Sequence, residues 1–80
     1  MFYAYVLKSV SYKTHYYGST EDLERRINEH NSGKMKYTKG RRPWVLHYYE
    51  VFETRSEALR REKFFKSIDG YLYLKANGLI

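Results

Sequence analysis

The sequence predicts a small mixed helix and sheet domain, α/β in the broad sense and α+β in the strict sense. Helices flank a three-stranded antiparallel sheet, and the elements follow the order β-β-α-β-α-α. Two regions, residues 2–17 and 44–52, are rich in the aromatic and β-branched residues that favour strands. Two longer regions begin with helix-capping residues and acidic first turns. Because a chain of 80 residues has room for one core, we expect residues 1–80 to form a single domain.

The first two strands are expected to form a β-hairpin over residues 2–17. In "FYAYVLKS" the side chains alternate between two faces, with Phe2, Ala4 and Val6 on one and Tyr3, Tyr5 and Leu7 on the other. A second strand is predicted over residues 14–17. Gly18 is expected to end that strand and to let the chain turn.

The first helix is predicted over "STEDLERRINEHNSG". Ser19 or Thr20 is expected to cap its N-terminus, and the closing Asn-Ser-Gly is a typical C-terminal stop. Leu23 and Ile27 form a narrow apolar stripe four residues apart, and His30 continues it. The helix is therefore predicted to place a histidine on its inward face.

The second half of the chain is predicted to hold one strand and two helices. Residues 33–43 read as a loop, and "WVLHYYEVF" is so continuously apolar and aromatic that we expect it to be the central strand. "TRSEALRREKFFKSI" is predicted to be a helix with a capping box between Thr54 and Glu57. "DGYLYLKANG" is expected to close the chain as a short helix.

The composition points to a polyanionic partner. The formal net charge is +6, and the chain holds 10 Tyr, 4 Phe and 1 Trp but no Cys. Excess positive charge favours phosphate polyanions, so nucleic acid is the first candidate. No apolar run approaches the length of a membrane span, and the N-terminus does not read as a signal peptide. We expect a soluble, cytoplasmic protein without a disulfide framework or a thiolate zinc site.

Glu62 interrupts an apolar pattern on the second long helix. The residues expected to face the core there are Ala58, Leu59, Phe65 and Ile68. A partly buried carboxylate is costly unless it is paired or binds a metal. Two interpretations stay open at this point, namely a salt bridge to one of the many arginines and a metal-binding carboxylate.

Other polar residues also fall on predicted inward faces. Arg26 lies one turn before His30, at the edge of the stripe on the first helix. Tyr5 and Tyr16 could share one face of the hairpin. Each has a structural interpretation, as a rim histidine, a salt-bridged arginine or cross-strand aromatic packing. Together with Glu62, they suggest a polar cluster enclosed by helix and sheet.

The loop at residues 33–43 concentrates positive charge. It holds five basic residues, namely Lys34, Lys36, Lys39, Arg41 and Arg42. By default such a loop is a solvated surface. It is also a plausible contact for a phosphate backbone, because phosphate contacts position a protein without reading bases.

In this order and spacing, these motifs resemble the GIY-YIG nuclease superfamily over nearly the whole chain. The likeness is strongest to small stand-alone bacterial members, which are related to an excision-repair nuclease subunit. The first family motif corresponds to "YAY", the second to "YYG", and the helices to "DLERRINEH" and "EALRREKFFKS". The matched positions are Tyr5, Tyr16, Gly18, Arg26, His30 and Glu62. The chain departs from the first motif at Tyr3 and Ala4, where the family has Gly and Ile.

The resemblance implies a DNA endonuclease that uses one divalent metal, with Mg²⁺ expected and Glu62 as its ligand. It further implies that Arg26 binds the phosphate, that Tyr5 acts as general base, and that Tyr16 and His30 assist. Two alternatives stay open. One is a nucleic-acid-binding module with the same fold and little cleavage, and the other is a structural or protein-interaction domain. A protein partner that supplies specificity is also expected.

Overall fold

The computed structural model describes residues 1–80 as a three-stranded antiparallel sheet with helices on both faces. The elements in chain order are β1 (Phe2–Ser9), β2 (His15–Thr20), α1 (Leu23–Asn31), α2 (Lys36–Lys39), β3 (Trp44–Phe52), α3 (Arg55–Phe65) and α4 (Ile68–Ala76). The predicted α+β class and element order are confirmed. The one addition is α2, a single turn of helix inside the segment predicted as a loop. The longest helix has 11 residues, and none has the length and apolar character of a membrane span.

The central strand is β1, and the prediction that β3 is central was wrong. The strands lie in the order β2-β1-β3, so β3 is an edge strand. Its side chains are largely exposed, including Val45, Tyr49 and Val51. An apolar run shows that a segment is a good strand, but an edge strand packed on one side can carry the same run.

The alternation of β1 is confirmed, because each face of this strand meets a different helix layer. On one face Ala4 and Val6 pack against Phe65 of α3 and Leu74 of α4. On the other face a second core contains Tyr5, Leu7 and Trp44, covered in part by Tyr16, Leu23 and Ile27. We refer to these as the α3 face and the α1 face of the sheet.

The start of α1 differs from its prediction. Strand β2 does not end at Gly18 but continues through Ser19 and Thr20. The helix cap is Asp22, whose side chain accepts the backbone N–H of Arg25 at 3.0 Å. The Thr20 hydroxyl accepts the N–H of Asp22 at 3.1 Å, so it forms a tight turn before the cap.

The helix ends were predicted more accurately than the inward face of α3. Gly33, at φ +84°, follows α1 in the left-handed conformation that stops helices. The capping box of Thr54 and Glu57 at the start of α3 is confirmed.

Leu59 and Ile68 were predicted to face inward but are 42% and 80% exposed. Because α3 ends before Ile68 and a new helix begins there, one helical period cannot extend across both.

Candidate active site

The ring of Tyr5 crosses the middle of the sheet on the α1 face and lies over Gly18. The two residues are strand partners, and Tyr5 is only 1% exposed. A Cβ atom at Gly18 would overlap the Tyr5 hydroxyl and its ring carbon. Gly18 is therefore needed for the space it leaves to Tyr5, and the expected turn at this glycine is absent.

The Tyr5 hydroxyl begins a buried chain of hydrogen bonds. It lies 3.1 Å from Nε2 of His30, and Nδ1 of His30 lies 2.9 Å from Oγ1 of Thr38. The Thr38 hydroxyl has a second partner, the carbonyl oxygen of Met35 at 3.5 Å, to which it donates. We therefore assign the His30 hydrogen to Nδ1, which leaves Nε2 to accept the proton of Tyr5.

Burial keeps both ends of the Tyr5–His30 hydrogen bond neutral. It raises the pKa of Tyr5 to about 12, although the adjoining Arg26 guanidinium opposes the rise. Burial, together with the charge of Arg26, lowers the pKa of His30 to about 4. The positive charge of Arg26 favours the phenolate form of Tyr5, but burial outweighs it.

Tyr16 packs against the same histidine. Tyr16 and Tyr5 lie on one face of adjacent strands, as predicted, and their ring centroids are 6.5 Å apart. The Tyr16 ring lies 4.7 Å from the His30 ring and 5.8 Å from the ring of Tyr37 on α2.

Tyr17 points to the opposite face, where its ring packs on Phe65. A groove of about 460 Å³ opens here, lined by His15, Tyr16, Tyr17, Tyr37 and Lys66.

Arg26 lies beside Tyr5 and carries an ion pair on one side. One terminal nitrogen of its guanidinium contacts Glu29 at 3.0 Å, one turn along α1. Its Nε is buried without a hydrogen-bond partner. A second opening of about 200 Å³ is lined by Ser19, Thr20, Glu21, Arg25, Arg26 and Arg55. Three arginines around one opening favour an anionic ligand.

Glu62 approaches from the α3 face, on the other side of β2. Its carboxylate accepts hydrogen bonds from the Ser19 hydroxyl and the Lys66 ammonium, both at 2.7 Å. The Glu62 side chain is 16% exposed. Glu62 therefore forms the salt bridge of the structural interpretation, but its partner is Lys66, one turn along the helix, and not an arginine.

Ser19 and Thr38 are site residues that the sequence pattern did not indicate. Ser19 was expected to cap a helix, whereas it is a strand residue that holds the Glu62 carboxylate. The usable signal was the alternation of β2, because Ser19 follows Tyr17 by two residues and must share its face.

The predicted site residues therefore surround β2 from both faces of the sheet. Tyr5, Tyr16 and His30 contact one another, and Arg26 adjoins Tyr5. Glu62 is hydrogen-bonded to Ser19 on the α3 face. It is close enough to Tyr5 that its negative charge contributes to the raised pKa of Tyr5.

The predicted basic loop borders this site through α2. Its members Lys34, Lys36, Lys39, Arg41 and Arg42 are exposed. Arg42 also donates from Nε to the carbonyl of Lys39 at 2.8 Å and contacts the carbonyl of Asn31 at 3.5 Å. Part of its charge thus caps the end of α1, which the sequence pattern did not indicate.

The donor atoms around Glu62 are compatible with a hard cation. No cluster of three or more His, Cys, Asp or Glu side chains is arranged to hold a metal. Glu62 and Ser19 offer one carboxylate and one hydroxyl, which are oxygen ligands of the kind that Mg²⁺ prefers. Such a site needs water and substrate phosphate oxygens to complete the coordination.

A comparison with known proteins establishes the family. Residues 1–70 match the family model described as the GIY-YIG catalytic domain. The chain belongs to the GIY-YIG family. This family is a nuclease superfamily, so the coarse class of the site is nuclease-like and a nucleic acid is implied as its ligand.

The relatives of this GIY-YIG chain carry the designation UPF0213 protein. One from Bacillus pumilus is 48% identical over 66 residues, covering 81% of this chain and 66% of that protein. One from Halobacterium salinarum is 45% identical over 69 residues, covering 85% and 88%. A UPF0213 protein from Bacillus halodurans, solved in solution by NMR, has 38% identity and a TM-score of 0.54, covering 95% of this chain and 84% of its own. Their names state no activity.

Proposed function

We propose that the protein is a metal-dependent endonuclease that hydrolyses phosphodiester bonds in DNA. The observation that supports this most is the hydrogen bond of Tyr5 to His30, held over Gly18 and next to Arg26. It combines a proton acceptor with a cation that can bind phosphate, and Arg26 lines an opening together with Arg25 and Arg55. We further propose that residues 1–80 act as one nuclease domain in the cytoplasm.

Tyr5 acts as general base through His30. Because the pKa of Tyr5 is about 12, its hydroxyl is protonated at neutral pH. It can take a proton from the attacking water if its own proton passes to Nε2 of His30, 3.1 Å away. The water oxygen then forms a bond to phosphorus as the bond from phosphorus to the leaving oxygen breaks. Because the pKa of His30 is about 4, His30 does not retain the proton at neutral pH, and the proton is released to the leaving oxygen.

Arg26 and Tyr16 position the phosphate. Arg26 is ion-paired to Glu29 through one terminal nitrogen, which fixes its guanidinium at the opening that it lines with Ser19 and Arg55. Its positive charge favours both the bound phosphate and a Tyr5 that has lost its proton. Tyr16 lines the groove next to Lys66, where its hydroxyl can orient the attacking water.

Glu62 would hold the divalent metal, proposed to be Mg²⁺, with the Ser19 hydroxyl beside it. When bound, the metal supplies stabilisation of the charge that develops on the phosphate and on the leaving oxygen. Lys66 now occupies one carboxylate oxygen. Its ammonium therefore keeps the carboxylate neutralised and oriented when no metal is present.

The second candidate is a nucleic-acid-binding module with little cleavage. Two observations favour it, the high pKa of Tyr5 and the hydrogen bonds that Ser19 and Lys66 already donate to the two Glu62 oxygens. In this case the same groove binds DNA, and a partner protein supplies the chemistry or the specificity.

Cleavage assays separate the two candidates. We expect the wild type to cut plasmid, single-stranded or branched DNA only when Mg²⁺ is present, and we expect Tyr5→Phe and Glu62→Ala to bind without cutting. DNA binding without cleavage by the wild type on all three substrates would establish the binding module. Equal cleavage by Glu62→Ala would remove Glu62 from the mechanism.

A further inference from the structure

Four basic side chains meet on the α3 face of the sheet, at the end near the β1–β2 turn. The histidine–lysine cluster consists of Lys8 on β1, His15 on β2, His47 on β3 and Lys75 on α4. The rings of His15 and His47 are 5.5 Å apart, and Lys8 is the strand partner of His15. After burial, the charges of His47, Lys8 and Lys75 are the causes that lower the pKa of His15.

Two local features of the fold bring these side chains together. Strand β3 has an irregularity opposite Val6 and Leu7, where the pairing passes from Tyr48 to Leu46 and leaves His47 as an extra residue. Such bulges redirect a side chain, here towards His15. On α4 the Lys75 ammonium lies 5.8 Å from the ring centroid of Tyr71, and its charge is one of those that lower the pKa of His15.

The cluster lacks an acidic partner. None of its members takes part in the ion pairs of the structure, and no carboxylate is among the groups that shift the pKa of His15. Like charges held together without a counter-charge are unfavourable, so the cluster favours an anion. Two imidazoles alone could suit a transition metal, but the neighbouring ammonium groups of Lys8 and Lys75 oppose a cation.

The cluster is continuous with the groove of the candidate active site. His15 belongs to both, because it also lines the groove with Tyr16, Tyr17, Tyr37 and Lys66. Lys66 in turn contacts Glu62, so the groove joins the proposed catalytic carboxylate to the cluster along the edge of β2. An extended strand lying in the groove would place a phosphate at each end.

We propose that the histidine–lysine cluster binds a backbone phosphate of the DNA strand beyond the one that is cleaved. This inference rests on the proposed function, since it assumes that DNA occupies the groove. The ligand group is a phosphodiester, recognised by two ammonium groups and two imidazoles without contact to bases. The cluster thus fixes the direction in which the strand leaves the active site.

The phosphate contact couples binding to pH. In the free protein the positive neighbours and burial lower the pKa of His15 below 6.5. A bound phosphate supplies the missing negative charge and raises the pKa of His15 towards and above that value. Protons are then taken up on binding, so affinity for DNA rises as the pH falls.

DNA-binding measurements in the absence of metal test the cluster under conditions in which the DNA is not cleaved. The probe is a fluorescent DNA duplex of about 20 base pairs in EDTA, with anisotropy read over a series of salt concentrations. Lys8→Gln and Lys75→Gln, made singly, are each expected to weaken binding about fivefold to tenfold and to reduce the salt slope by about 0.9. The matched control is Arg60→Gln, whose side chain lines a different surface with Phe52 and Phe64, and it is expected to bind like the wild type.

The histidines are tested by a pH series with the same probe. Wild-type affinity is expected to rise between about pH 7.5 and pH 5.5, and His15→Gln combined with His47→Gln is expected to remove most of that rise. Unchanged salt slopes in both lysine variants, or an equal loss in Arg60→Gln, would overturn the proposal. Circular dichroism of each variant confirms that folding is retained.

The outcomes separate this inference from the proposed function. If the wild type binds DNA and all cluster variants bind equally well, the cluster proposal fails while the nuclease proposal stands. If the cluster variants lose affinity but Glu62→Ala still cuts, the phosphate contact holds and the catalytic assignment fails. If the wild type binds no DNA, both fail.

Discussion

Gly18 has no side chain, and the ring of Tyr5 lies in the space above it on the α1 face, where its hydroxyl reaches His30. The glycine contributes no chemistry and needs no unusual backbone angle. Its role is to provide space, and a methyl group there would clash with the Tyr5 hydroxyl, the proposed general base. The site is therefore sensitive to volume at this position.

Gly18→Ala is expected to destabilise the fold by about 1–3 kcal/mol, because the added methyl group forces Tyr5 out of its position. The matched control is Gly40→Ala, since a Cβ at Gly40 meets no atom within 4 Å. Denaturant unfolding of both variants measures the difference. Equal stability of the two variants would show that Tyr5 does not depend on the space over Gly18.

His30 makes the fold sensitive to acid. Its pKa falls from 6.5 to about 4 on folding, so the unfolded chain takes up this proton first as the pH drops. Its contribution to stability is present above pH 6.5 and is lost as the pH falls towards about 4, up to about 3 kcal/mol. Unfolding of the wild type and His30→Gln across this range measures it. Parallel stability curves would contradict the buried, neutral assignment.

At the level of single residues, the sequence predicted the candidate site residues that interrupt an apolar pattern. Glu62 and His30 occupy inward positions and could be identified by periodicity, and the motif resemblance then added roles. Ser19 and Thr38 could not be found this way, because a short hydroxyl side chain fits a cap, a turn or a strand equally well. Only the register of β2 and the position of α2 gave them partners.

At the scale of elements, helix ends were encoded locally and strand positions were not. The capping box of α3 depends on two residues three apart, so the sequence alone predicts it. Whether β1 or β3 is the central strand depends on which of them is covered by helices on both faces of the sheet. That coverage comes from Phe65, Leu74 and Trp44, which are distant in sequence from β1.

Thr54→Ala is expected to cost about 1 kcal/mol of folding free energy, because its hydroxyl accepts the N–H of Glu57 and also contacts the Glu57 carboxylate. Ser56→Ala in the same first turn is the control, with an expected change within about 0.5 kcal/mol. Thermal unfolding compares the two variants. A loss no larger in Thr54→Ala than in Ser56→Ala would mean that the cap does not stabilise α3.

Over the whole molecule, two groups of basic residues border the groove beside β2. The basic loop lies on the α1 side through α2, and Lys66 and the histidine–lysine cluster lie along the groove. Composition alone predicted a polyanionic partner. It did not predict that the charge follows one groove, because that arrangement depends on the bulge in β3 and on the position of α4.

Neutralising Lys39 and Arg41 together is expected to weaken DNA binding and to lower the salt slope by about 1.8, because two phosphate contacts are lost. Arg42 is left unchanged, since it also binds backbone carbonyls at the end of α1. Anisotropy titrations at several salt concentrations measure the slope. A slope equal to that of the wild type would place the loop outside the interface.

The central claim is that Glu62 takes part in metal-dependent cleavage, and it is tested most directly by the cleavage rate of Glu62→Gln at saturating DNA and Mg²⁺. The control is Glu53→Gln, an exposed glutamate that also removes one negative charge. We expect a loss of about 10²-fold or more for Glu62→Gln, with DNA affinity retained, and no loss for Glu53→Gln. Equal cleavage rates for the two variants would contradict it.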